Sequence, residues 1–165
     1  MCIDHLNQRA QAIQQLAGMA TQEQARWKPI PETWSILEVV NHLGDEENAD
    51  FRSRLKHILD QIPGLPPPND PQRWVTERRY NERELQPSLD RFMRERAESL
   101  GWLRTLTSPD WDLAVEGPFG RITAGDMLMA WVAHDLLHLR QLVELHYAYH
   151  QQQAQPYSVA YAGEW

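Results

Sequence analysis

The sequence predicts an all-α fold, a four-helix bundle, on three observations. Apolar residues recur at spacings of three and four along four long segments. Capping signatures open two of those segments. No two segments alternate apolar and polar residues in a way that would make a convincing strand pair.

The first helix is predicted from about Ile3 to Ala25. Ile3, Leu6, Ala10, Ile13, Ala17 and Ala20 share one stripe, which Gly18 weakens locally. Pro29 and Pro31 then make RWKPIPETW a connector. Ser35 and Glu38 form an S-x-x-E capping box, so a second helix runs from Ile36 to about Gln61. Its inner line is Ile36, Val40, Leu43, Phe51, Leu55, Ile58 and Ile62, broken midway by polar and acidic residues. IPGLPPPNDP is too proline-rich for helix or central strand, and predicts a long crossover continuing through Trp74 and Tyr80.

The third helix is predicted from about Gln86 to Leu106, with Pro87 in its first turn. Leu89, Phe92, Leu100 and Leu103 line its inner face, and Arg96 takes an inner slot. TSPDWDLAVEGPFGR, with Gly117, Pro118 and Gly120, reads as a connector with a short hairpin-like excursion. Thr123 and Asp126 cap a fourth helix from Ala124 to about Gln151. Residues 1–151 thus make one bundle domain and 152–165 a tail. Tyr157, Val159 and Tyr161 alternate there, which suits either an extended surface segment or a frayed end.

Composition excludes several functions. A chain of 165 residues suits one domain. Its net charge of −7 and pI near 5.4, with no dense Lys/Arg block, argue against a nucleic-acid partner. No stretch approaches the roughly 20 apolar residues of a membrane span. The N-terminus lacks the basic head and apolar run of a secretory signal. Cys2 is the single cysteine, which rules out an internal disulfide framework and a cysteine-rich zinc site. A cytoplasmic location is expected.

The chemistry concentrates in histidines. His134 and His138 stand four residues apart on the fourth helix, close enough for both imidazoles to reach one ion. Their stripe includes Met127, Trp131, Leu142 and Leu145, so the pair faces the interior. Unpaired buried imidazoles are costly, and a metal ion relieves that cost. Taken alone, the spacing also suits one hydrogen-bonded core histidine beside a rim histidine. His42, flanked by Glu38 and Glu46 at four-residue spacing on the second helix, supplies a third imidazole. Three neutral imidazoles suit Zn²⁺, Ni²⁺ or another late divalent ion and leave a coordination position open. Glu46 is either a fourth ligand or a base near the ion. Asp135 is a candidate to orient a ligand imidazole, the plainer reading being an exposed helix acid. Gln141 is placed to hydrogen-bond near the site. Trp131 reads as core filling or a pocket wall, and His57, His146 and His150 as surface or rim residues. A di-iron carboxylate site is disfavoured, because Glu-x-x-His motifs are missing.

WSILEVVNHL (Trp34 to Leu43), followed by Asp45 and Glu46, resembles the first motif of the DinB-like superfamily. FGRITAGDML and then HDLLHLRQL (His134 to Leu142) resemble the second. The resemblance runs from about Trp27 to Leu145. It implies a four-helix bundle of up-down-down-up topology, with His42, His134 and His138 as ligands of one divalent ion. It also implies a homodimer and a small-molecule substrate, handled by a metal-dependent hydrolase or by a transferase using a low-molecular-weight thiol. The alternative is a non-catalytic metal- or ligand-binding module.

Overall fold

The computed structural model describes residues 1–117 and 120–164. Helix α1 spans Cys2–Gly18 and buries Leu6, Ala10, Ile13 and Ala17. The predicted first helix does not continue to Ala25. It stops at Gly18, and Thr21 caps a separate short helix α2 (Gln22–Arg26) by accepting from the Gln24 amide at 3.2 Å. A flexible glycine followed by a good N-cap makes the break cheaper than continuation.

The Ser35–Glu38 capping box is present in both directions and opens α3 (Ile36–Glu46). Every residue of α3 is buried. The predicted single helix then changes character. Glu47–Arg52 is a π-helical segment, and α4 (Ser53–Leu59) resumes the α geometry. This wider turn falls on the acidic interruption noted in the sequence.

The crossover is not all loop, as the prolines had suggested. Asp70 caps α5 (Pro71–Glu77), and Pro71 takes the first-turn position that tolerates it. Asp45 on α3 anchors the segment that follows. It accepts from the Tyr80 hydroxyl and pairs with Arg91 and Arg78, the latter at 2.6 Å. Arg78 also lies over the Trp74 ring, 4.0 Å from its centroid. Helix α6 (Leu85–Thr105) and helix α7 (Ala124–Gln153) follow, close to the predicted limits. The Thr123–Asp126 capping box starts α7.

The architecture departs from purely α in one place. Strands β1 (Ala114–Gly117) and β2 (Gly120–Thr123) form an antiparallel hairpin in which Val115 faces Ile122 and Glu116 faces Arg121. This is the predicted excursion; Pro118 lies outside the described residues. The described tail is not extended. It turns after α7 and ends in a short 3₁₀ segment, with Tyr157 and Tyr161 exposed. Among the described residues no helix is long and apolar enough to cross a membrane.

Helix α1 packs on α6 and α7, α3 packs on α6, and α4 on α7. The apolar core forms two clusters. One gathers Ala10, Ile13, Val40, Leu89, Phe92 and Leu142; the other gathers Leu6, Phe51, Leu55, Leu103, Leu128 and Trp131. The fully buried residues Arg96 and Asp135, with Glu47, form a polar network that also touches Leu6 and Trp131.

Candidate metal centre

Helix α3 presents His42, and α7 presents His134 and His138. One ring nitrogen from each can be chosen so that all three lie within 4.8 Å of one another. His134 Nε2 and His138 Nε2 are 3.1 Å apart. Two nitrogens bound to one zinc at about 2.0–2.1 Å with a tetrahedral angle lie roughly 3.3 Å apart. Nδ1 of His42 is buried and has no hydrogen-bond partner. Such an orphan is costly in a protein interior, and it is what a histidine set made for a cation would show in the protein alone.

Electrostatics keeps the three rings neutral. Burial, with the neighbouring His138 and His134, pulls His42 down to about 2. Burial, His138 and Arg96 pull His134 down to about 3. Burial also lowers His138, against the opposing pull of its hydrogen bond to Gln141. Neutral rings keep the lone pairs that bind metals. The residues present therefore fit a divalent ion.

Gln141 reaches the site as the sequence suggested. Its Oε1 lies 2.8 Å from Nδ1 of His138. With that oxygen accepting, Nδ1 carries the proton and Nε2 offers its lone pair toward His134. Replacing Gln141 with leucine is expected to weaken metal binding about 10–100-fold while leaving the fold intact. Titration with a competing chelator checks this.

Glu46 stands one turn after His42. Its oxygens lie 4.0 Å from His42 Nδ1 and 3.8 Å from His134 Nε2, beside the histidines and beyond hydrogen-bond reach. Burial and the adjacent Asp50 carboxylate push its acid up to about 8. A cation beside it would reverse that shift.

Two expectations need correction. Asp135 is neither exposed nor bonded to a histidine; it is fully buried and bonded twice to Arg96, at 2.8 and 2.9 Å. His57 is buried and bonded to the Gly64 carbonyl. His146 is half-buried, in keeping with a rim position, and ties the Leu16 carbonyl to Gln24. Trp131 is core, with its Nε1 donating to Glu47 Oε1 at 2.8 Å. His150 is exposed, as expected.

Two neighbours of the site had no assigned role in the sequence. The ring of Trp34 lies 4.7 Å from that of His42 and 6.2 Å, parallel, from that of His138. Phe51 lies 5.0 Å from His134. Trp34 sits immediately before the capping serine, a position that hinted at its role. Phe51 appeared only as one of the core line. The site opens on a cavity of about 690 Å³ whose walls include Trp34, His42, Glu46, His134, His138 and Gln141. Pro71 and Gln72, held nearby by the Asp45 anchor, add to its rim.

The sequence profile of the DinB superfamily matches residues 5–142. The chain belongs to the DinB superfamily. Among solved structures it is similar to YfiT from Bacillus subtilis, described as a probable metal-dependent hydrolase with an unusual four-helix bundle topology. The identity is 23% and the TM-score 0.76, over 87% of this chain and 83% of YfiT. No curated protein gives a significant sequence match.

Proposed function

We infer that this DinB-superfamily chain is a cytoplasmic metal-dependent hydrolase of small molecules. One divalent ion, zinc or nickel, would be held by His42, His134 and His138. The observation that carries this reading is the convergence of three neutral imidazoles, two buried and one half-buried, one of them with an orphaned nitrogen. The description of YfiT supports it.

A divalent ion bound there supplies Lewis acidity toward an oxygen or sulfur donor. The chain supplies the rest. Gln141 fixes the His138 tautomer. Phe51 and Trp34 cover the imidazole faces with apolar surface and limit access of water. With a cation beside it, Glu46 is an anion, placed to accept a proton from the attacking water. The cavity is of ordinary size for a small substrate.

Elemental analysis of protein purified without a nickel column tests the site. About one ion per chain is expected. His42→Ala, His134→Ala and His138→Ala should each lose it, and His57→Ala and His146→Ala should keep it. Full occupancy in all three ligand variants overturns the reading. Glu46→Gln should retain metal and lose hydrolysis across a panel of esters and amides. Transfer to an added thiol would instead place the chain among thiol transferases. Inertness toward every substrate with metal bound would make it a binding module.

Pairing with a second copy is part of the same proposal. Met129, Leu136 and Val143 recur every seven residues on α7 and are exposed, as is Leu137. Such a stripe suits a helical interface. A solution mass twice that of the chain at micromolar concentration is expected.

A further inference from the structure

We propose that Arg96 is a positioning residue for the three-histidine centre, acting as a clamp between the two elements that carry it. This rests on the metal reading above. Arg96 lies on α6, touches no histidine through a hydrogen bond, and is 1% exposed. Its Nη2 is 2.6 Å from Glu47 Oε1 and 2.8 Å from Asp135 Oδ1. Its Nη1 is 2.9 Å from Asp135 Oδ2 and 2.6 Å from the Leu6 carbonyl.

The positions of the two acids give the clamp its purpose. Glu47 immediately follows Glu46, and Asp135 immediately follows His134. Successive helical residues point about 100° apart. Glu46 and His134 therefore face the centre while Glu47 and Asp135 turn aside to Arg96. The result is a ring of contacts. It runs from His134 through Asp135, Arg96 and Glu47 to Glu46, and closes across the 3.8 Å between Glu46 and His134. One guanidinium thus sets the spacing of α7 from the helix that carries His42.

Only arginine meets this geometry. Its planar fork grips Asp135 through two nitrogens and still reaches Glu47 and Leu6. A lysine ammonium brings the same charge to one point. It cannot hold both carboxylates and the carbonyl at those angles. The spacing of His42 from His134 would then be less firmly fixed, although the buried charge is unchanged.

The test measures the affinity of the folded chain for Zn²⁺ alone, by chelator competition well below the melting temperature. Arg96→Lys is expected to weaken binding about 10–100-fold, the range seen when groups behind a metal ligand are lost. Asp135→Asn, which keeps the shape and one acceptor, should weaken it in the same direction. Leu103→Ala, a buried α6 residue about two turns beyond Arg96, is the control for general destabilisation. It should lower the melting temperature and leave affinity within about twofold. Wild-type affinity in both Arg96→Lys and Asp135→Asn overturns the clamp while leaving the metal reading intact. So does an equal loss in Leu103→Ala. A wild-type chain that takes up no Zn²⁺ overturns both.

Discussion

Replacing Arg96 with methionine is expected to cost the fold about 3–5 kcal/mol, the range for removing one partner of a buried ion pair. The guanidinium is nearly inaccessible and sits between two carboxylates that are themselves 2% and 0% exposed. Without it, Glu47 and Asp135 become like charges in a poorly polarisable interior, and the Leu6 carbonyl loses a donor. Methionine matches much of the volume, so the loss is electrostatic more than a matter of packing. For a chain of this length the melting temperature should fall by roughly 6–20 °C. Urea denaturation of the metal-free protein measures the effect. Adding Glu47→Gln and Asp135→Leu should recover much of the loss, because buried ion networks replaced by neutral groups are often no less stable. Glutamine is chosen at 47 to keep an acceptor for Trp131. A single variant within about 1 kcal/mol of wild type would show that solvent reaches the network.

The metal-free chain should also be most stable near pH 6.5 and lose stability on both sides. His42 and His134 titrate at about 2 and 3 in the fold, against about 6.5 in the unfolded chain. Below pH 6.5 the unfolded state takes up protons that the folded state refuses, so stability falls with pH. Between pH 6.5 and 4 these two residues remove about 6 kcal/mol. Glu46 works in the opposite sense. Its folded value is raised to about 8, so its contribution is complete below about 4.5 and is lost as pH climbs to 8. Over the acid range Glu46 returns about 2–3 kcal/mol, leaving a net loss of about 3 kcal/mol.

A bound cation needs neutral imidazoles and favours an ionised Glu46. Stabilisation by Zn²⁺ should therefore be larger at pH 8 than at pH 5.5. Binding at pH 7 should release close to one proton, from Glu46 and not from the histidines. Calorimetry in buffers of different ionisation enthalpy reads that proton, and Glu46→Gln should abolish it. Release of two or more protons at pH 7 would mean that the histidines are not held neutral.

Both capping boxes were legible because their signals are local: a hydroxyl residue and an acid three positions apart. The histidine set was legible because four-residue spacing on α7 is itself geometry, and His42 stood in a polar gap of an apolar line. Asp135 was misread, though its position held the clue. Trp131, Asp135, His138 and Leu142 follow one another at spacings of four, three and four, which puts the acid on the inner stripe. What no spacing shows is the partner across the bundle. Arg96 looked like a lone charge in an inner slot and Asp135 like a histidine's partner or an exposed acid, and only packing joins them. Helix α5 was missed because three prolines outweighed the Asp70–Pro71 start signal just beyond them. The π segment is invisible to a search for period 3.6, since its flanks keep the α pattern.

That wider turn has a consequence for comparing this chain with its kin. A π turn stores one residue more than an α turn of the same height. The surplus is absorbed within Glu47–Arg52, so Leu55 and Ile58 still face inward although the count from His42 has changed. A homologue with a regular helix here should therefore align with a single-position gap inside 47–52 and unbroken matches on both sides. Its histidine half and its apolar half would keep their faces, and the length difference would be confined to one bulge.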